Sequence, residues 1–310
     1  ARTDAGHFAG SEEAFRHWDE DGMVEAGCAT CHSADGLPFF FAHETQIEQP
    51  LSNGLECETC HSSVETFETF TTTAVIFPSG AEVTLEDNSN LCLTCHQGRS
   101  FSGTVDRATA DLPADEPAQL RFINIHYFAA GATLFGNEVQ GAYQYPDKTY
   151  VGRFEHVDAF NTCVECHDVH ALTVVEEDCT VFHQVDSLAE IRMSDTDYDG
   201  DGDTEEGIAG EVATMTEALY AAMQAYGADT EGVGSIEYNP ARYPYFFDDA
   251  GEQFASWTPT LLKAAYNFQY AQKDPGAFAH NAEYIIQVLY DSIESLGGDV
   301  SGMTRPEAEQ

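Results

Sequence analysis

Eight of the nine cysteines fall into four Cys-x-x-Cys pairs, and a histidine follows each pair at once: Cys28/Cys31/His32, Cys57/Cys60/His61, Cys92/Cys95/His96 and Cys163/Cys166/His167. At this composition chance would supply about 0.01 of one such pentapeptide. Two thiols three positions apart can each add to a vinyl group on one edge of a haem, and the adjacent imidazole then reaches the iron. Zinc also takes Cys-x-x-Cys pairs, but it does not ask for a histidine directly after every second cysteine. Disulfides within the pairs would leave the histidines unexplained. The pattern predicts four covalently held c-type haems, with His32, His61, His96 and His167 as proximal ligands.

A fifth, altered copy follows the fourth. In Cys179-Thr180-Val181-Phe182-His183 a phenylalanine stands where the second cysteine would be. Cys179 could still form one thioether with His183 as proximal ligand, or the copy is a remnant. A reactive thiol is a liability in an exported protein, which favours the first reading, so four haems are expected, or five with this site.

Each iron has a sixth position. Eight other histidines are present against only five methionines, none of them in a recurring context, which predicts bis-histidine, low-spin, low-potential irons. His170 lies three residues beyond His167, where the chain leaving one haem can hand a ligand to another. His126 sits in the apolar run "RFINIHYFAAGATLF", where an unsatisfied imidazole is costly. His156 precedes a motif, His280 opens the last predicted helix, and His7 and His17 precede the first motif. These six are the candidate distal ligands; His43 reads as a surface residue.

A second metal-binding pattern occupies "DTDYDGDGDTEE", residues 195–206. It matches an EF-hand calcium loop with Asp195, Asp197 and Asp199 at positions 1, 3 and 5, Gly200 at 6, the Asp201 carbonyl at 7, Asp203 at 9 and Glu206 at 12. A frame shifted by two would put Ile208 at position 12, where a bidentate carboxylate belongs, so the first frame is expected.

The chain has 310 residues, 43% of them apolar, enough for a packed core. Its formal charge is −42, from 54 acidic residues against 12 Lys plus Arg. Nucleic acid is excluded as a partner, since phosphates need clustered cations. Self-repulsion on this scale calls for salt or bound cations. No run of eighteen apolar residues is present, so no helical membrane span is expected. The chain shows no signal sequence of its own, and Ala1 reads as the residue that cleavage of one would leave.

These groups must be positioned by a fold in two parts. Residues 1–185 hold every haem motif and look short of regular structure, as a haem-cored region would. Two short β-hairpins are expected there, around Pro78-Ser79-Gly80 and around Pro146-Asp147. Residues 186–310 read as an α-helical part opening with the calcium loop. A helix is predicted in "GEVATMTEALYAAMQAYG", ending near Gly227, another from the Thr258-Pro259 cap through Gln272, and a third from about Asn281 to Leu296 with its stop at Gly297-Gly298.

The phrases "AFRHWDEDG", "GCATCHSADGLP", "NLCLTCHQGRS", "NIHYFAAGATLFG", "YVGRFEHVDAFNTCVECHDVHAL" and "SWTPTLLKAAYNFQYAQKDPGAFAHN" resemble those of exported multihaem c-type cytochromes, and more loosely of outer-surface cytochromes that polymerise into extracellular nanowires. The resemblance implies a location outside the cell or at its surface, with the periplasm as the other setting. It also implies redox partner proteins or extracellular acceptors, and a homo-oligomeric filament in which His7 or His17 ligates a haem of the next copy. Relatives are expected to carry a complete motif where this chain reads "CTVFH". A saturated iron exchanges electrons with little rearrangement and offers substrate no place, so electron transfer is the expected activity. The alternative is a multihaem reductase for nitrite, hydroxylamine or a sulfur oxyanion. It would need one open iron and cations to bind an anion, and this chain has few cations.

Overall fold

The computed structural model describes His7 and residues 14–308. Each haem motif folds as one short helix. In chain order the elements are β1 (Met23–Val24), α1 (Ala26–His32), α2 (Gly36–His43), β2 (Gln49–Pro50), α3 (Cys57–Cys60), β3 (Val75–Ile76), β4 (Glu82–Val83), α4 (Asn90–Cys95), α5 (Ser102–Thr109), α6 (Ala130–Phe135), α7 (Cys163–Cys166) and α8 (Glu176–His183). The C-terminal part adds α9 (Ile208–Asp229), β5 (Glu237–Tyr238), β6 (Phe246–Phe247), α10 (Pro259–Lys273) and α11 (Ala277–Ser295). The strands form three two-stranded sheets, β1-β2, β3-β4 and β5-β6.

The chain divides into two compact units that interleave along the sequence. The first takes the described part of Ala1–Val75, with Glu82–Cys95 and Glu155–Glu176; the second takes Ile76–Ala81, His96–Phe154 and Glu177–Gln310 as far as it is described. Segment 96–154, grouped with the motifs in the sequence reading, counts here in the second unit.

In the first unit the helices are short and held by polar ties. Thr59 Oγ1 donates to the Ala34 carbonyl at 2.8 Å and accepts from Glu56 N at 3.0 Å, which caps α3. Gly36 lets α2 start hard against α1, since a Cβ there would lie 1.8 Å from the Ala29 carbonyl oxygen. The buried apolar side chains include Phe15, Val24, Leu37, Leu85 and Leu93.

The second unit has an ordinary helical core. Met215, Leu219 and Met223 of α9, Leu261, Leu262 and Ala265 of α10, and Ile285, Ile286, Val288 and Leu289 of α11 are fully buried. Burial of each large apolar side chain contributes about 1.5–3 kcal/mol. The three expected helices form, each slightly longer than its pattern. Thr258 caps α10 by accepting from Leu261 N at 3.1 Å, with Pro259 in the first turn. In α11 the backbone breaks at Asn281 (φ −171°, ψ 78°), whose Oδ1 accepts from Tyr284 N at 3.2 Å. The expected start at Asn281 is therefore a real restart, with one further turn before it. Gly297, at φ 77°, ends the helix.

Of the two expected hairpins, β3-β4 forms around Pro78-Ser79-Gly80. The second yields a turn at Pro146-Asp147 without paired strands. Its arms bond to helices instead. Asn267 accepts from Tyr143 N at 2.7 Å and donates to Tyr143 O at 2.9 Å, while Gln287 Oε1 accepts from Val151 N at 3.0 Å. Among the described residues no helix is long and apolar enough to cross a membrane.

Candidate metal centres

The second and fourth motifs adopt one local design. In each, a single helical turn carries both cysteines and the histidine leaves it in extended conformation, at φ −97° for His61 and −113° for His167. Each histidine N–H donates to the carbonyl of its first cysteine at 2.8 Å. The chain then doubles back, so that Phe70 N bonds to Cys60 O at 2.9 Å and Val175 N to Cys166 O at 3.0 Å. In the fourth motif the tip of this return is capped by Asp168. Its Oδ1 accepts from His170 N at 2.9 Å and Ala171 N at 2.8 Å, and these bonds hold its carboxyl below the usual range. That tip presents His170.

His170 meets His61. Their ring centres are 6.2 Å apart and their planes differ by 4°. Two imidazoles binding one metal from opposite sides at about 2.0 Å place their ring centres about 6 Å apart. The pair has the spacing of two axial ligands on one iron, and its planes are parallel.

Three of the proximal histidines are oriented through Nδ1. His32 Nδ1 donates to the Ala14 carbonyl at 2.7 Å, His61 to Phe67 O at 3.0 Å and His96 to Phe128 O at 2.9 Å. A carbonyl can only accept, so Nδ1 carries the proton and Nε2 the lone pair, the tautomer a metal ligand needs. These residues fit an iron porphyrin. Among the expected distal ligands, His280 donates from Nδ1 to both carboxylate oxygens of Asp274, at 2.8 and 3.0 Å. Burial pushes the pKa of His96 down, the Phe128 carbonyl and Asp274 oppose that, and His280 adds to it. Asp274 and His280 are thus electrostatic neighbours of His96.

The thiols of separate motifs converge within the first unit. Hydrogen bonding to Cys163, reinforced by burial, pushes the Cys92 thiol up, and hydrogen bonding to Cys31 does the same for Cys95. Cys60 acts electrostatically on both. All four motifs therefore approach one another through side chains at the attachment points.

The other expected residues are placed as follows. His7 accepts at its carbonyl from Leu55 N at 2.6 Å. His17 is exposed, its ring 5.0 Å from Trp18, which in turn lies 5.5 Å from His32. His126 is half-buried at φ 87°, its N–H held by Asn124 Oδ1 at 2.8 Å. His156 is exposed, its N–H held by Asn161 Oδ1 at 3.0 Å. Cys179 and His183 lie on α8, so the altered copy keeps the helical form of the others. Phe182 is 72% exposed.

In the acidic loop the carboxylates group as Asp197/Asp199/Glu211 and Asp199/Asp201/Glu206, the oxygens of each group within 4.8 Å of one another. Asp195 and Asp203, both expected ligands, are in neither group among the described residues. Asp197 accepts from Gly200 N at 2.6 Å and Gly202 N at 2.9 Å, curling the loop around itself. Asp199 is 6% exposed, and its Oδ2, like Glu206 Oε1, is buried without a hydrogen-bond partner. Burial and neighbouring carboxylates raise the pKa of both. Such orphaned, crowded oxygens suit a hard divalent cation. Gly210 leaves room for Glu206 in this position; a Cβ there would lie 1.9 Å from its Oε2.

Two residues outside the sequence reading organise this loop. Fully buried Glu211 accepts from Tyr198 N at 2.9 Å and Asp199 N at 2.8 Å through Oε2, and from Arg192 Nη2 at 2.6 Å through Oε1. Arg192 also donates to the carbonyls of Ser194, Thr196 and Glu206. The only sequence sign of Glu211 is an acid in the first turn of α9.

Residues 13–111 match the family model "Cytochrome c7 and related cytochrome c". The chain is 24% identical to the C-type polyheme cytochrome OmcB of Geobacter sulfurreducens, in strains DL-1/KN400 and ATCC 51573, over 91% of this chain and 45% of the relative. It is 24% identical to the C-type polyheme cytochrome OmcC of the latter strain, over 94% of this chain and 45% of that relative. The chain thus spans about half the length of these curated relatives. No solved structure matches it.

Proposed function

We propose that this chain, a multihaem c-type cytochrome, passes single electrons along closely spaced haems whose irons are capped by histidine on both sides. The haems are the four of the complete motifs, with a fifth held by Cys179 and His183. The observation that carries the proposal is the His61–His170 pair, 6.2 Å apart and parallel to 4°. An iron held by both of these histidines would be closed to substrate, which fits electron transfer at that site. A second pairing, His96 with His280, rests on Phe128, whose carbonyl accepts from His96 Nδ1 at 2.9 Å and whose N–H donates at 2.8 Å to the carbonyl of Lys273, the neighbour of the Asp274 that holds His280. His7, His17, His126 and His156 are the distal ligands proposed for the remaining irons.

When bound, the haems supply the redox chemistry. The protein's part is attachment, orientation and spacing. Cysteines would anchor each ring edge, carbonyls of Ala14, Phe67 and Phe128 set the tautomer of His32, His61 and His96, and convergence of Cys31 with Cys95 and of Cys92 with Cys163 brings the attachment points of the first and third motifs, and of the third and fourth, together. A calcium ion held by Asp197, Asp199, Asp201 and Glu206 would neutralise the crowded loop.

Exposed His17, or His7, suits ligation to a haem of a neighbouring copy, which would make the chain a subunit of an extracellular filament delivering electrons to outside acceptors. Ferric electron paramagnetic resonance of the matured protein tests the central reading: only low-spin signals are expected, and a high-spin iron that binds nitrite or hydroxylamine would establish the reductase instead. Electron micrographs of the native protein and of His7→Ala and His17→Ala variants test the filament; filaments that survive both changes remove inter-subunit ligation.

A further inference from the structure

We propose that Asp274 is a positioning residue that lowers the midpoint potential of the iron held by His96 and His280. The inference rests on the bis-histidine reading of that iron and concerns what sets its potential.

The observations are geometric. Asp274 ends α10, and Pro275-Gly276 turns the chain directly into α11, which carries His280 one turn on. Its carboxylate is buried, 3% exposed. Both oxygens face His280 Nδ1, and Oδ1 also accepts from Gly276 N at 3.2 Å. Gly276 makes room for the ring: a Cβ there would come within 2.8 Å of His280 Cε1 and 3.3 Å of both ring nitrogens. His280 N donates to Gly276 O at 2.9 Å, so backbone and side chain fix the imidazole from two directions.

The chemistry differs from that at the other oriented histidines. His32, His61 and His96 give their Nδ1 proton to neutral backbone carbonyls, whereas His280 gives its proton to an anion. A carboxylate acceptor draws the proton toward itself, shifts electron density across the ring to Nε2 and makes the imidazole a stronger donor to the metal. A more basic axial ligand and a negative charge in a low-dielectric site both favour the ferric over the ferrous ion. Both effects act in one direction, toward lower potential. A carboxylate that only held the helix junction together would need neither two-oxygen contact with the ring nor a glycine clearing space for it.

The test uses the matured, haem-loaded chain. Asp274→Asn keeps the size and removes the charge; Asp274→Ser removes it with a smaller side chain, so that one of the two can be read if the other loads haem poorly. The expected result is an upward shift of one midpoint in a spectroelectrochemical titration, with the others unchanged and the ferric spectrum still low-spin. His280→Ala controls the underlying reading and is expected to turn one iron high-spin. If His280→Ala does so while both Asp274 variants leave every midpoint in place, the tuning role is overturned and the ligation stands. If His280→Ala leaves all irons low-spin, the ligation itself fails and the tuning role with it.

Discussion

The ring centres of His61 and His170 lie 6.2 Å apart with their planes 4° from parallel, although one belongs to the second haem motif and the other follows the fourth. The shared ligation proposed for these two residues stands or fails on one substitution. His170→Ala is expected to convert one iron from low to high spin at unchanged haem content. Asp168→Ala, which removes the cap from the turn presenting His170, is expected to give a mixture of the two states at that iron. Absorption and paramagnetic resonance spectra read both, and an unchanged low-spin spectrum in His170→Ala rejects the pairing.

Asp87 ties the third motif to the fourth. Its Oδ2 accepts from Thr162 Oγ1 at 2.5 Å and its Oδ1 from Ser89 N at 2.9 Å, while Ser89 Oγ accepts from Val164 N at 3.2 Å. Burial works to raise the Asp87 pKa, but the Thr162 and Ser89 hydrogen bonds outweigh it and the net direction is down. A carboxyl whose folded pKa is depressed contributes stability above its unfolded value, about 3.9, and loses that contribution as pH falls through the folded value. Asp87→Asn is therefore expected to cost about 1–2 kcal/mol near neutral pH. The difference in Tm between native and variant should narrow as pH is lowered from about 6 through the unfolded value of about 3.9 and on toward the lower folded value. A gap that stays constant over that range rules out the ionised carboxylate as its source.

Chelating calcium is expected to lower the Tm of the unit containing α9, α10 and α11. The size depends on affinity; a site at a hundredfold excess over its Kd contributes about 2.7 kcal/mol. Asp199→Asn and Glu206→Gln should abolish the response to added calcium. Because Asp199 and Glu206 crowd other carboxylates, each variant without metal should be at least as stable as the native chain without metal. Scanning calorimetry with and without chelator decides it, and variants that still gain stability from calcium move the site elsewhere.

Peptide mass spectrometry is expected to find haem on Cys179 through one thioether, and Cys179→Ala should lower the haem content by one relative to the native protein. An unmodified thiol at Cys179 makes the altered copy a remnant and leaves four haems.

What could be read in advance was local. The Thr258-Pro259 start of α10 and the Gly297 stop of α11 depend on neighbours within a few residues, and both formed. The turn at Pro146-Asp147 was legible for the same reason, but its missing strands were not. The hydrogen bonds that strands would have used go to Asn267 and Gln287, far along the chain. Glu211 and Arg192 escaped notice because a lone acid and a lone arginine acquire a role only once the loop has folded over them. Asp195 and Asp203 illustrate the converse: spacing made them candidate ligands, while the carboxylates that group among the described residues are Asp197, Asp199 and Glu211, and Asp199, Asp201 and Glu206. No spacing rule could have matched His61 with His170, because their meeting depends on how two separate motifs pack.

That meeting also bears on how the first unit keeps its shape. An iron gripped by His61 and His170, as proposed, would be a cross-link closing a loop of about a hundred residues, and in the chain-entropy picture such a closure removes freedom from the unfolded chain worth about 4–5 kcal/mol. A region made of one-turn helices and two-residue strands would thus draw much of its rigidity from its prosthetic groups, and thiol reductants that dismantle disulfide-stapled proteins would leave these staples intact.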